Sequence, residues 1–413
     1  MSQLDAQPDR MTCSGSDESQ EGSFPQDLPR DFRGYRLYGM RVLSQYPLSE
    51  HGIRQLPGAG CSDDASPRQH PHPPDITITY RGIVPRETDD PAKADPPPDA
   101  LGRVWADTGS HRMLRFYGRY GHTIDFLIDP DGSGIQVSQS WPEWRDTFFG
   151  LANGAITAAL HLKGFRALHA SSLIANSHSY LVMGVSGAGK SSLSAALAAE
   201  GMAMHSDDIA IPMEAGTVAM NINGTPRPWE GHAPPHIAAG YGRIKISPML
   251  AETLGLPGDE LVPVQARRSD NVLPRKTGIA SHPPENHVAD TEEDTDSANT
   301  ELWVSAHLLP GDFHPDPAPL GAILVLGNRR TGLSHPVIEP LQGMPAVIAL
   351  SNHFYGRDWL QPPSPQDPEF CRRLAEHVPV YRITMPDDLS LLRASARHIM
   401  TRVMEPSRPE SPS

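Results

Sequence analysis

Lysine is scarce in this chain of 413 residues. Only five of its 35 basic residues are lysine, and the others are arginine. A lysine inside a recognisable motif therefore carries more weight than it would in a chain of ordinary composition. Basic residues are also fewer than acidic residues, which gives a net charge of −14 and a pI near 5.7. This balance argues against nucleic acid and anionic membrane as partners, because both attract basic proteins.

Cysteine and long apolar runs are the next absences. The three cysteines, Cys13, Cys61 and Cys371, are far apart and match no disulfide framework and no zinc spacing. No stretch approaches the roughly 18 apolar residues of a membrane-spanning helix. The N-terminus carries Asp5 and Asp9 without the apolar segment of a signal peptide. We therefore expect a cytoplasmic chain that is not embedded in a membrane.

The pattern along the chain predicts two folded parts and two polar ends. Residues 1–32 are polar and predicted to be disordered, as is the Pro/Ser-rich tail at 405–413. Short alternating runs at 33–142 predict a β-rich N-terminal subdomain with long Pro-rich loops. Residues 143–404 alternate strand and helix patterns, which is typical of an α/β domain. An acidic segment at 277–300, without Lys or Arg, reads as a solvated insertion.

Three local predictions can be checked directly. Residues 35–43 alternate in hydrophobicity and are predicted to form one strand, whereas 50–74 are predicted to be a loop. Residues 143–163 have helical spacing of apolar side chains and are followed by Gly164 as a C-cap.

The segment Gly184-Val-Ser-Gly-Ala-Gly-Lys-Ser191 fits the phosphate-binding pattern G-x-x-x-x-G-K-[ST], the Walker A motif or P-loop, completely. An apolar strand precedes it and an Ala/Leu-rich helix follows it. Glycines let backbone N–H groups turn towards phosphates, and the helix N-terminus adds a positive dipole end. The predicted nucleotide contacts are Gly184, Val185, Ser186, Gly187, Ala188, Gly189, Lys190, Ser191 and Ser192.

Each polar residue of this motif has a chemical task. Lys190 can reach the β- and γ-phosphates as a point charge, and the hydroxyl of Ser191 can bind Mg²⁺. Two adjacent carboxylates, Asp207 and Asp208, follow at the edge of a strand. In such a pair, one carboxylate can hold the metal while the other accepts a proton from an attacking hydroxyl.

A further histidine completes a set of motifs that resembles a known family. His169 lies in the strand Leu168-His-Ala-Ser, which precedes the Gly184–Ser191 loop, and the Asp207-Asp208 pair follows a short helix that ends in Gly. This order is similar to the catalytic domain of HPr kinase/phosphorylase and the HPr-kinase-related serine kinases. The resemblance implies an α/β fold, with a P-loop core of the HPr-kinase and phosphoenolpyruvate-carboxykinase type and a β-rich N-terminal subdomain.

The resemblance also implies roles for single residues. His169 and Lys190 would be catalytic, Asp207 would be the general base, and Ser191 would bind Mg²⁺, with Asp208 as a second carboxylate on the metal side. The family's Glu-Ile-Arg-Gly signature, which supplies another metal ligand, does not occur here. Glu230, in Pro-Trp-Glu-Gly, lies at about the corresponding distance and is the candidate for that ligand.

The expected function is that of an ATP-dependent kinase that transfers the γ-phosphate of Mg·ATP to a hydroxyl, most simply a serine of a peptide or protein. Two alternatives stay open: a kinase of a small hydroxylated metabolite, and a nucleotide-binding regulatory module with little transfer activity. The sequence identifies neither the acceptor nor any reverse, phosphorylase activity. The ring assemblies of true HPr kinases leave a homo-oligomer open.

Overall fold

The computed structural model describes residues 31–48, 53, 55–61, 74–83, 103–117, 123–140, 150–215, 226–263, 302–360 and 362–404. The predicted acidic insertion at 277–300 and the predicted tail at 405–413 lie outside these residues. So do residues 1–30 of the N-terminal segment that was predicted to be disordered.

In the described part of the chain, eight strands form an N-terminal sheet in the order β3-β1-β2-β4-β8-β7-β6-β5. Their bounds are β1 (Phe32–Leu37), β2 (Met40–Ser44), β3 (Gln55–Cys61), β4 (Ile76–Ile83), β5 (Arg103–Asp107), β6 (Arg112–Tyr117), β7 (Thr123–Ile128) and β8 (Gly134–Gln139). Neighbouring strands are antiparallel except at β2–β4 and β4–β8, which are parallel.

The prediction of one strand over 35–43 is wrong, because the chain reverses within it. Leu37 pairs with Met40 across a two-residue turn of Tyr38 and Gly39. Both turn residues have positive φ, at 49° and 75°. This is the conformation that matches the twist of a tight hairpin. Alternation in the sequence continues through such a turn, so the pattern alone does not reveal it.

The loop predicted over 50–74 is also wrong in part, since β3 lies within it. Pro and Gly in Gln55–Cys61 disfavour a strand, but among the described residues β3 pairs with only one neighbour, β1, at the edge of the sheet. An edge strand tolerates proline because one side of its backbone needs no ladder partner.

A second sheet of nine strands is built from the described residues after 167. Its strands are β9 (Leu168–Ala175), β10 (His178–Met183), β11 (Ala203–Ser206), β12 (Ile209–Ala210), β13 (Pro212–Met213), β14 (His236–Ile237), β18 (Ala318–Leu326), β19 (Val337–Leu341) and β20 (Val380–Thr384). A small third sheet contains β15 (Arg243–Ile246), β16 (Val262–Pro263) and β17 (Leu302–Ser305).

Six α-helices occur among the described residues: α1 (Ile156–Leu162), α2 (Lys190–Ala199), α3 (Pro248–Leu254), α4 (Met344–Ser351), α5 (Asp367–His377) and α6 (Leu392–Ile399). Helix α1 is preceded by a π-helical turn at Leu151–Ala155 and closed by Gly164, whose φ is 87°, as the sequence predicted. Residues 143–149 of the predicted helix lie outside the described residues. No helix in the described ranges has both the length and the apolar character needed to cross a bilayer.

The direction of three strands decides where the loops of the second sheet meet. Strand β10 is parallel to β18, and β18 is parallel to β20, so their carboxyl ends lie at one edge. Strand β9 is antiparallel to β10 and therefore begins at that same edge. Loops that leave β10 and β18 thus emerge beside the first residues of β9.

Apolar side chains cover both faces of the second sheet. Val182 and Leu324 pack on one face with α2 and α6, and Leu181 and Ile323 pack on the other with α4 and α5. A further apolar cluster joins the N-terminal sheet to α1 and to the segments around β12–β15. This cluster extends across the subdomain boundary predicted at 142–143, so the two parts share a core.

Removal of the Leu181 side chain tests the packing of the second sheet. Leu181 is fully buried at the centre of β10, and we expect Leu181→Ala to lower the free energy of unfolding by about 2–5 kcal/mol. Met344, 66% exposed, provides the control, and Met344→Ala should change it by less than about 0.5 kcal/mol. Denaturant titration measures both. Equal losses would contradict the burial of β10.

Candidate functional site

Residues 184–191, which we call the glycine loop, connect β10 to α2. Gly187 and Gly189 have φ values of 80° and 95°, in the left-handed region that residues with a side chain rarely adopt. Lys190 begins α2 immediately after the second of them, and Leu193 N–H donates to the Gly189 carbonyl at 2.9 Å. The loop therefore turns sharply at the positive dipole end of a ten-residue helix.

The two adjacent aspartates lie between β11 and β12, where both strands pair with β9. Asp208 has a φ of 62°, which is unusual for a residue other than glycine. Such a conformation costs on the order of 1–3 kcal/mol and is concentrated at functional sites. Its carbonyl accepts from Ala170 N–H at 3.2 Å, so the strained residue is fixed against β9.

The aspartates, Lys190 and His169 form one group of side chains, the charge cluster. Lys190 makes an ion pair with Oδ1 of Asp208. The Nε2 atom of His169 is 3.7 Å from the same oxygen. Ser171, two residues after His169 on the same face of β9, donates its hydroxyl to Oδ1 of Asp207 at 2.7 Å. The structure thus brings together the three residues that the sequence proposed as catalytic, His169, Lys190 and Asp207, with Asp208, one of the three proposed metal ligands.

The pKa values of the two carboxyl groups are shifted in opposite directions. Burial raises the pKa of Asp207, and the charge of Asp208 acts in the same direction. Burial would also raise the pKa of Asp208, but His169, Lys190 and Lys245 together hold it far below its usual value. Asp208 is consequently the ionised member of the pair at neutral pH, and Asp207 is the one whose proton affinity is enhanced.

Asp207 has one oxygen with no partner. Its side chain is fully buried, and Oδ2 has no hydrogen-bond partner among the described residues. Buried polar atoms are nearly always satisfied, so such an atom calls for a proton, a ligand or a metal ion. Lys190 lies beside the same carboxylates. Burial acts to lower the pKa of Lys190, but the two aspartates outweigh this effect and raise it.

Lys245 is a member of this environment that the motif search missed. It lies on β15, with Nζ 5.4 Å from the ring centroid of Trp303, and its charge lowers the pKa of both aspartates. Of the three lysines in the described residues, two therefore act on the same carboxylates. The scarcity of lysine was the available signal, but nothing in the local sequence marks this position.

The segment after α4 holds His169 in place. The backbone N–H of His169 donates to the carbonyl of His353 at 2.7 Å. The ring of His169 packs edge-on against Tyr355, with centroids 6.0 Å apart. The Tyr355 hydroxyl donates to the carbonyl of Asn153 at 2.6 Å. Burial lowers the pKa of His353 to about 4, and the charges of His169 and Lys190 add to the effect. A neutral histidine therefore stands beside the cluster.

The N-terminal sheet reaches the back of the site through its first hairpin. Tyr38 N–H donates to the carbonyl of Ala239 at 2.8 Å, and Gly240 N–H donates to the carbonyl of His205 at 2.8 Å. A side chain at Gly240 would collide with the hydroxyl of Ser206, so the backbone approaches β11 closely. Burial raises the pKa of Tyr38 and leaves a neutral phenol at this wall.

Glu230 is the one predicted site residue that the fold leaves apart. Its carboxylate lies 3.5 Å from His232, and its backbone bonds to Glu214 and Arg373. No hydrogen bond or ion pair in the described residues joins it to the charge cluster. The metal role predicted for Glu230 therefore receives no support from the geometry.

Comparisons with known proteins found a likeness among solved structures only. No family model matches the chain, and no curated protein matches its sequence. Among solved structures, the HPr(Ser) kinase/phosphatase from Coxiella burnetii matches at 13% identity and a TM-score of 0.26, over 58% of this chain and 99% of that one. A TM-score of this size is too low to support a function. The function below is therefore inferred from the residues of this chain.

His205, on β11 just before the aspartates, should make the stability of the fold depend on pH. Burial lowers its pKa to about 3, and His314 acts in the same direction. Its ring bonds to the Ser172 hydroxyl at 3.0 Å and to the Asp316 carbonyl at 3.1 Å. The unfolded chain takes up a proton near pH 6.5 while the folded chain stays neutral, so stability is lost as pH falls below that value.

Between pH 6.5 and 5, the contribution of His205 should fall by about 2 kcal/mol, at 1.36 kcal/mol for each pH unit. Urea titrations of the wild type and His205→Gln across this range measure it. The variant should be less stable at pH 7 but lose less stability on acidification. Parallel pH profiles for the two chains would show that His205 is not neutral in the folded state.

Proposed function

We propose that this protein is a kinase that transfers the γ-phosphate of Mg·ATP to a hydroxyl, with serine in a peptide or protein as the acceptor. The observation that carries the proposal is the meeting of the glycine loop with the charge cluster. A lysine at the start of α2 and two aspartates after β11 share one volume with His169. Phosphoryl transfer requires this combination of a phosphate cradle, a cation and carboxylates.

The glycine loop would hold the triphosphate. Gly187 and Gly189 give the backbone the turn that lets N–H groups face phosphate oxygens, and α2 adds its dipole. Lys190 is paired with Asp208, so the β- and γ-phosphates would compete with this carboxylate for the ammonium group. The energetic cost of partly releasing the pair is offset by the new phosphate contacts.

The donor set near the loop fits Mg²⁺. The Ser191 hydroxyl at the start of α2 and the Asp208 carboxylate are hard oxygen donors, and Asp207 Oδ2 is a buried oxygen without a partner. Mg²⁺ is usually held by one or two carboxylates together with substrate phosphates and water. Bound there, it would neutralise charge on the phosphates. Ser191 and Asp208 are the residues that we assign to hold it.

Asp207 is the proposed general base. Its raised pKa brings it closer to the working pH, where a base accepts protons most effectively. In the transfer step, the acceptor oxygen bonds to the γ-phosphorus while the bond to the β-phosphate oxygen breaks. The bonding electrons leave with ADP, and the hydroxyl proton passes to Asp207. Asp208 is more exposed, but its low pKa makes it a poor base.

Transfer of label from γ-labelled ATP into serine peptides and a cell extract tests this proposal. We expect Lys190→Ala and Asp207→Asn each to lower transfer by about 10²–10⁴-fold, since each removes a charge or base used in the transition state. Lys163→Ala is the matched lysine control and should retain full activity. Labelled small molecules without labelled protein would reassign the acceptor to a metabolite. Unchanged transfer in both variants would exclude the mechanism.

The two aspartates can be separated by their response to Mg²⁺. Asp208→Asn should raise the Mg²⁺ concentration needed for half-maximal transfer by about tenfold or more, the size of effect expected for a disturbed metal site. Asp207→Asn should lower the rate at saturating Mg²⁺ without that shift. The reverse pattern would exchange the two assigned roles.

A further inference from the structure

Arg329 lies against the glycine loop although it is far from it in sequence. A Cβ atom built on Gly189 would be 2.6 Å from Nη2 of Arg329, so the guanidinium group rests directly on the residue before Lys190. Gly189 also has a φ of 95° and begins the turn into α2. The arginine therefore touches the part of the loop that would face the β- and γ-phosphates.

The position of Arg329 follows from the strand order. Arg329 is the third residue after the end of β18, which runs parallel to β10 with Val325 opposite Met183. Loops that leave two adjacent parallel strands emerge at the same edge of a sheet. The next residue, Arg330, donates its N–H to the Met385 carbonyl at 2.9 Å and accepts from Asp387 N–H at 3.1 Å. These bonds tie the loop after β18 to the end of β20.

Arg329 has no carboxylate partner among the described residues, whereas two other arginines of the fold are paired. Arg115 pairs with Asp125, and Arg166 pairs with Asp367. In the described ranges no ion pair or hydrogen bond involves the Arg329 side chain, which is exposed. Lys190, by contrast, already neutralises a carboxylate. Arg329 is thus an uncommitted positive charge in contact with a glycine turn.

We propose that Arg329 binds the β- and γ-phosphate oxygens of the nucleotide and stabilises the charge that develops between them during transfer. This inference rests on the proposed function and adds to it a second cation, supplied by the same chain. Guanidinium presents two parallel N–H groups to phosphate oxygens, which a lysine cannot do. It remains charged at every working pH, and charge on the transferring and leaving oxygens is greatest in the transition state.

A structural role for Arg329 would look different. If the guanidinium only supported the glycine loop, its removal would weaken binding of every nucleotide that touches the loop, and would lower the melting temperature. If it contacts the phosphates, its removal affects ligands according to the phosphates they carry. AMP, which lacks the β- and γ-phosphates, is therefore the discriminating ligand.

The experiment compares the wild type with Arg329→Ala, Arg329→Lys and Arg330→Ala. Arg330→Ala removes the same charge one residue away and is the matched control. Calorimetric titration gives Kd for Mg·ATP, Mg·ADP and AMP, label transfer or ATP hydrolysis gives kcat, and thermal unfolding reports on folding.

For Arg329→Ala we expect about tenfold weaker binding of Mg·ATP and a kcat at least about 100-fold lower, with AMP binding and Tm unchanged. Arg329→Lys should recover only part of kcat, because the bidentate contact is lost. Arg330→Ala should stay within about twofold of the wild type, since it is not placed on the loop.

Equal losses in Arg329→Ala and Arg330→Ala would overturn the inference in favour of a general charge effect, and equal weakening of ATP and AMP would overturn it in favour of a structural role. If Arg329→Ala behaves as the wild type while Lys190→Ala is inactive, the inference fails and the kinase assignment stands. A wild-type chain that binds neither Mg·ATP nor Mg·ADP would overturn both.

Discussion

The ion pair between Lys190 and Asp208 is the interaction on which the rest of the site depends. Both groups are largely withdrawn from water, and a lone charge in such a place costs several kcal/mol. Asp208 is kept ionised by Lys190, His169 and Lys245. Its negative charge in turn raises the pKa of Asp207 beside it. Two neighbouring carboxyl groups with opposite pKa shifts are the arrangement from which separate acid–base roles arise.

The pair exists because the fold brings distant segments to one edge of the second sheet. The glycine loop follows β10, and β9, which runs antiparallel to β10, carries His169 as its second residue. The break between β11 and β12 places the aspartates against β9, with Asp208 in a strained left-handed conformation. The bonds from Tyr38 to Ala239 and from Gly240 to His205 make the N-terminal sheet part of the same support. Destabilisation of the β1–β2 hairpin would therefore disturb the position of the aspartates.

The sequence was a good guide wherever the information is local. The glycine loop, the strand before it and the helix after it are contiguous, so residue types alone specify them, and the predicted helix after the loop is observed as α2. The aspartate pair could be identified because it follows the glycine loop at a short distance along the sequence. The sequence did not reveal features that depend on contacts between distant segments. These are the reversal at Tyr38-Gly39, the formation of strand β3, and the contacts that Glu230 makes outside the charge cluster. Spacing along the chain suggested Glu230, but the fold directs its carboxylate towards His232.

The positions of the cations around the site could not be predicted from the sequence pattern. The chain carries a net charge of −14, so its overall field repels a nucleotide triphosphate. Under the proposed function, attraction would have to come from short-range contacts, where a few fixed positive groups act in a medium of low dielectric constant. Lys190 and Lys245 are largely engaged with the aspartates, which limits the net positive charge they offer to phosphate. Arg329 adds a charge that no carboxylate of the described chain offsets. Under the proposed function, selectivity for polyphosphate would come from the position of the cations, and the parallel neighbours β10 and β18 bring Lys190 and Arg329 to one edge of the sheet.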